Sequence, residues 1–132
     1  MMKVLKKRSE YDTITIARQA NVSDEKHSRR KEVKMVKHII LWKLKEEHNN
    51  EDVKRGIKEG LEGLLGVIPG LIEIKVQTEK LASSNADVML YSIFESEDAL
   101  RGYAVHPEHV KVADTKVRPF TETRSCIDFC EE

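Results

Sequence analysis

Residues 88–94 read Val-Met-Leu-Tyr-Ser-Ile-Phe, a run that is apolar on both parities of an extended chain. Val88, Leu90 and Phe94 share one side, and Met89, Tyr91 and Ile93 share the other. Successive side chains of a strand point to opposite faces of its sheet, so each set needs its own cover. Such a strand belongs in the middle of a sheet packed on both faces. A chain of 132 residues has room for only one modest core. The second layer is therefore hard to supply from within.

The flanking patterns show what the first layer is. Val36 to Leu44 is rich in β-branched and large apolar residues and reads as a buried strand. Asn49-Asn50-Glu51-Asp52 offers cap and first-turn chemistry for a helix that carries Val53, Ile57, Leu61, Leu64 and Leu65 on one stripe. Gly56, Gly60, Gly63 and Gly66 weaken that helix, each by up to about 1 kcal/mol relative to alanine. Pro69-Gly70 is expected to end it and turn the chain. Leu71 to Thr78 then alternates apolar Ile72, Ile74 and Val76 with polar neighbours, a half-buried strand. After a turn at Ser83-Ser84-Asn85 comes the two-faced strand. Ser96-Glu97-Asp98 starts a second helix through Ala99, Leu100 and Tyr103. Pro107 interrupts it, and further helical turns carry His109, Val110 and Ala113, before a last strand from about Thr123 to Phe129.

The order β-α-β-β-α-β predicts an α+β, ferredoxin-like domain with a four-stranded antiparallel sheet and its helices on one face. The other face, apolar through Met89, Tyr91 and Ile93, is expected to meet the same face of a second copy, giving a two-fold homodimer.

Formal net charge is +0, yet residues 1–34 hold 10 Lys/Arg against 5 Asp/Glu while residues 35–132 hold 13 against 18. The net negative body offers no clustered cations for phosphate, so no nucleic-acid partner is expected. Thr15 to Ser23 faintly resembles the first helix and turn of a helix-turn-helix, but the segment after it, Asp24 to Arg30, has no apolar residue to pack a recognition helix. Residues 1–34 contain too few large apolar residues to offset their ordering entropy and are expected to be a disordered or non-native leader. Lys31-Glu32-Val33-Lys34-Met35 can be encoded by codons that place a bacterial ribosome-binding sequence just before Met35, so Met35 is expected to be the true start. The apolar stretches Ile39 to Trp42 and Leu64 to Ile68 are far too short to span a bilayer, and no membrane association is expected. No signal-peptide h-region follows the N-terminal lysines, which points to the cytoplasm. Cys126 and Cys130, four apart on a strand, would be roughly 13 Å from each other, too far for a disulfide. They are read as buried or inert thiols.

Proton-transfer side chains concentrate in two places. Residues 103–109 read Tyr-Ala-Val-His-Pro-Glu-His, and the first strand carries His38. A neutral imidazole can abstract a proton alpha to a carbonyl while a phenol steadies the enolate, so His109, His38 and Tyr103 are the candidate catalytic set. Each has a structural alternative: His38 as a satisfied core histidine, His109 bonded to a backbone carbonyl. His106 either contacts ligand or caps the interrupted helix. Trp42 and Phe94 are either a ligand platform or core. Glu46, Glu47, Glu51 and Asp52 form a solvated run without metal-ligand spacing to any histidine, so no metal is expected.

The strand motif Val36-Lys37-His38-Ile39-Ile40-Leu41-Trp42-Lys43-Leu44 is followed by Ile68-Pro69-Gly70, Phe94-Glu95-Ser96, the Tyr103–His109 segment and Ile127-Asp128-Phe129. In that order and spacing, residues 35–132 resemble the stress-responsive A/B barrel domain (Dabb) family of the dimeric α/β-barrel superfamily. The resemblance implies two ferredoxin-like protomers that pair their sheets into a barrel, each with a small cavity between sheet and helices. One plant branch is a polyketide cyclase that closes a poly-β-keto chain by aldol condensation without metal or organic cofactor. Its catalytic histidine corresponds to His109, its supporting histidine to His38 and a tyrosine to Tyr103. A second tyrosine of that branch falls near Leu61, which removes one hydroxyl, and a terminal Asp-Tyr becomes Asp128-Phe129. The remainder is more similar to bacterial members, whose ligands are mostly unassigned. The resemblance thus implies a homodimeric small-molecule binding module. The alternatives are a cofactor-free acid–base enzyme on a carbonyl compound and a stress-associated structural protein. The enzyme reading needs a polar-lined cavity with His38 and His109 facing each other, the binding reading needs only an apolar cavity, and the structural reading predicts a filled one.

Overall fold

The computed structural model describes residues 34–131. All of the expected leader but Lys34, including its helix-turn-helix-like fragment, falls on residues outside that range. The first strand, β1 (Val36–Leu44), alternates as its sequence demands: Val36, His38, Ile40, Trp42 and Leu44 are buried on one face. After a short 3-10 turn, Asn50 caps α1 (Glu51–Glu62) by accepting the Val53 N–H at 2.9 Å. Ile57 and Leu61 are buried on that helix. It ends at Glu62, seven residues before Pro69, because Gly63 and Gly66 disfavour continuation. Leu64 still reaches the core through the following turns, whereas Leu65, expected on the same stripe, is exposed.

β2 (Leu71–Gln77) and β3 (Val88–Phe94) follow, then α2 (Glu97–Val105), capped by Ser96. Next come α3 (Pro107–Val112), a wide π-type turn (Ala113–Val117), a 3-10 turn (Arg118–Phe120) and β4 (Thr121–Cys130). The strands form one antiparallel sheet in the order β2-β3-β1-β4, as the β-α-β-β-α-β pattern predicts for a ferredoxin-like domain. Among the described residues no helix is long and apolar enough to cross a membrane.

One irregularity moves a residue that alternation had placed inside. The β2–β3 register shifts between Leu71 and Glu73, so Ile72 is exposed while Leu71, Ile74 and Val76 are buried. On the outer edge of β2, Glu62 accepts the Val76 N–H at 2.9 Å and Lys58 donates to the Val76 carbonyl at 3.0 Å. These side chains occupy backbone groups that would otherwise template another strand.

β3 is two-faced as read. Val88, Leu90 and Phe94 are buried beneath the helices, while Met89, Tyr91 and Ile93 are partly exposed on the opposite face. Across the ladder Ile39 pairs with Tyr91 and Ile127, and Leu41 with Met89. With Phe129, these residues make a continuous apolar face bare of helices. Lys37 lies within it between Ile93 and Phe129, with its ammonium 5.4 Å from the Tyr91 ring centroid and 2.6 Å from Glu131.

Two glycines in this packing should respond oppositely to a methyl group. Gly70 has φ +83°, and a Cβ there would sit 2.5 Å from the Ala99 Cβ. Gly70→Ala should therefore cost more than the roughly 1–2 kcal/mol of a left-handed alanine alone. Gly102, inside α2, has open space around it, and alanine there should stabilise by about 0.5–1 kcal/mol. Urea melts of the two variants should move in opposite directions. Met89→Asp or Tyr91→Asp should dissociate the dimer expected through the bare face, whereas Leu90→Asp, on the buried face, should unfold the protomer. Sedimentation velocity distinguishes these outcomes, and a stable wild-type monomer at micromolar concentration would refute the pairing.

Candidate functional site

Between the sheet and the helices lies a cavity of about 180 Å³. Ile40, Trp42 and Leu90 rise into it from the sheet, Leu61 from α1 and Leu100 from α2. The interrupted helix decides what else reaches it. Pro107 cannot continue α2, and His106 takes an extended conformation with φ −65° and ψ 133°. The His106 Nδ1 accepts the Glu108 N–H at 3.1 Å and so caps α3. This corner brings Tyr103, in the last turn of α2, against His109, in the first turns of α3. Their ring centroids are 4.1 Å apart at 34°. His38 stands edge-on to Tyr103 with centroids 5.9 Å apart.

The structure thus gathers His38, Tyr103 and His109 on one cavity, with Trp42 in the wall. Phe94 lies behind them, its centroid 4.9 Å from Tyr103 and 6.2 Å from His38, and supports the rings without lining the space. His106 stands outside the lining and serves the helix junction.

The three polar groups differ in how they are satisfied. Tyr103 is 2% exposed, and its hydroxyl has no hydrogen-bond partner among the described residues. Burial drives the phenol pKa far above its ordinary value, so the hydroxyl stays a proton donor. His109 points Nδ1 at the Ala104 carbonyl, 3.4 Å away. With the Nδ1 proton donated there, Nε2 is left as an acceptor. Burial holds this imidazole below its ordinary pKa; the Ala104 bond opposes that shift, and Arg118, His38 and Arg124 reinforce it. His109 is consequently neutral at pH 7, the form a base requires. His38 is buried, with Nδ1 2.5 Å from Asp128 Oδ1.

Sequence reasoning had not assigned Asp128, Cys126, Arg118, Thr121 or Arg124 to the site. Ile127-Asp128-Phe129 was visible as a motif, but only the β1–β4 register sets Asp128 opposite His38 and Arg124 opposite Trp42. The Cys126 Sγ lies 3.8 Å from His38 Nδ1 and 3.5 Å from Asp128 Oδ1. These three donors lie within 4.8 Å of one another, close enough to share a divalent cation. The expectation of no metal rested on spacing along the chain, which does not register a cross-strand trio. Both cysteines are unbridged, as expected, but exposed rather than buried, because no helix covers β4. Partial desolvation of the thiol and the adjacent Asp128 carboxylate raise the Cys126 pKa, which leaves the thiol a poor nucleophile.

Residues 36–131 match the Stress responsive A/B Barrel Domain (Dabb) family. The chain belongs to that family. A stress-response A/B barrel domain-containing protein of Arabidopsis thaliana is 26% identical over 97 residues, which are 72% of this chain and 36% of that protein. This Dabb chain therefore spans about a third of the length of that relative. A dimeric, ferredoxin-like crystal structure of unknown function from Bacteroides fragilis is 33% identical, covering 74% of this chain and 96% of its own, with TM-score 0.68. A hydroxynitrile lyase from Passiflora edulis shares the fold at TM-score 0.66 and 16% identity, over 76% of this chain and 96% of that one.

The partial burial of His109 sets a pH dependence for the Dabb domain. Its folded pKa is below its unfolded value, so its contribution to stability is complete above about pH 6.5 and is lost as pH falls through the folded pKa. The His109 ring should titrate by NMR below the ordinary imidazole midpoint. His109→Gln should flatten the acid limb of a stability–pH curve, and an unchanged limb would refute this assignment.

Proposed function

We propose that this Dabb domain is a homodimeric small-molecule binding module whose ligand is a compact carbonyl compound. The observation that carries the reading is the Tyr103 hydroxyl, buried without a partner beside the neutral His109. Leaving such a donor unpaired costs roughly 1–3 kcal/mol, a penalty that a ligand carbonyl would remove. An open cavity supports binding over a purely structural role, for which the space would be filled by side chains. The dimeric Bacteroides relative and the bare apolar sheet face support self-association. Two exposed, unbridged cysteines fit a reducing, cytoplasmic setting.

A second reading, acid–base catalysis at the same carbonyl, is favoured by the separate roles of the three groups. His109 Nε2 would remove a proton alpha to the carbonyl. The Tyr103 hydroxyl would donate to the enolate oxygen as charge develops there. His38, held by Asp128 at 2.5 Å, would orient the substrate from the opposite wall. Leu61 lines the cavity where the plant cyclases carry a further hydroxyl, so a single phenol would bear that charge. The hydroxynitrile lyase shares only the architecture, and its reaction assigns none here.

Acetophenone and 2,4-pentanedione, titrated while the His38 and His109 ring signals are followed, test both readings. Tyr103→Phe should leave thermal stability equal or higher, since it deletes an unpaired buried hydroxyl. The same change should weaken binding by about 2- to 10-fold, the net worth of one hydrogen bond. Binding that leaves both histidines unperturbed would refute the site. If either compound exchanges its alpha protons for deuterium, His109→Ala should slow that exchange by about 10²–10⁴.

A further inference from the structure

The cavity's charges are one-sided. Arg118 and Arg124 line it together with His38, His109 and Thr121, and no carboxylate among the described residues does. Arg118 is neutralised by an ion pair with Asp114, one turn earlier. Arg124 makes no ion pair with any described residue. Further along the same strand, Asp128 is engaged by His38 at 2.5 Å. Arg124 is exposed and yet lines the cavity, because the helices stop short of β4, so this residue belongs to the cavity's solvent-facing edge rather than to its interior. A deeply buried guanidinium would be costly without a counter-ion, but one at a mouth is not, and it remains free to take a ligand's charge.

We infer that the ligand is an anion, a small carboxylated ketone whose carboxylate is held by Arg124 at the mouth and whose ketone oxygen accepts from Tyr103 inside. This rests on the carbonyl-binding reading above and adds the charge. Three features fix the class. The planar guanidinium fork matches a carboxylate through two parallel hydrogen bonds. The inner donor, the Tyr103 hydroxyl, is unpartnered and requires an acceptor. The walls between them, Ile40, Leu61 and Leu90, are apolar and accept a hydrocarbon body. At about 180 Å³ the space slightly exceeds the roughly 150 Å³ of an engineered cavity that admits benzene, so a single ring or a short branched chain fits. With Arg118 paired to Asp114, His38 to Asp128 and His109 neutral, Arg124 is the charge that favours anionic over cationic ligands at the entrance.

The matched probes are benzoylformate, which carries both groups, and its neutral amide, which keeps the ring and ketone. Titration calorimetry of the full chain should show benzoylformate binding about 10- to 100-fold tighter, the range of a hydrogen bond to a charged group. Added salt should narrow that ratio, because the contact lies at the surface. Arg124→Gln should abolish the preference by weakening the acid far more than the amide, which loses at most one neutral hydrogen bond, and Arg124→Lys should retain part of it. Tyr103→Phe should weaken both probes alike. Equal binding of the two probes by the wild-type protein would overturn the anion assignment and leave the carbonyl reading standing. Failure of both to bind would overturn both. If Arg124→Gln weakens the amide as much as the acid, the arginine is structural and the inference fails.

Discussion

A four-stranded sheet with two helical connections has one face that its own chain can cover and one that it cannot. Here the covered face is Val36, Ile40, Leu90 and Phe94 under α1 and α2, and the bare face is Ile39, Leu41, Met89, Tyr91 and Ile127. Both faces are apolar, so the constraint acts twice. It drives the helices onto one side and leaves the other as a surface that water solvates poorly. The helical layer also has finite width. It covers β2, β3 and β1 but not β4, whose side chains are exposed on the helical side as well.

That shortfall makes the cavity usable. Were β4 covered, Arg124, Cys126 and Asp128 would be buried ionisable groups with desolvation to repay. Left at an edge, they line or border an entrance at little cost. From the edge inward stand half-buried His109 facing a backbone carbonyl, buried His38 satisfied by Asp128, and last the Tyr103 hydroxyl with no partner among the described residues. This gradient places the least satisfied donor where solvent is most excluded, and there a ligand hydrogen bond is strongest.

The local device behind the geometry is the proline break. A continuous helix from Glu97 to Val112 would set residues 103 and 109 six apart, on different faces. The extended residue His106 redirects the axis, and the two rings then stack at 4.1 Å. Gly60 contributes from the other side. A Cβ there would come within 2.9 Å of Val112 Cγ1, so its absence lets α1 lie close against α3.

Side-chain chemistry and the family resemblance marked His38, Tyr103 and His109 as candidates, while periodicity alone was enough to read the element order and the two-faced β3, because strand and helix periods are local properties of the chain. Periodicity misjudged the end of α1, where Gly63 and Gly66 outweighed the apolar stripe, and the burial of Ile72, which a bulge in the β2–β3 pairing turned outward. The partners that give the site its chemistry were beyond it. Asp128 and Cys126 meet His38 across 90 and 88 residues of chain, and Arg124 reaches the cavity only through the β1–β4 register. A sequence specifies which side chains a strand presents to each face through an alternation of two. Which strand lies beside it, and in what register, is settled by the summed burial of the whole sheet, and that exists only in the tertiary structure.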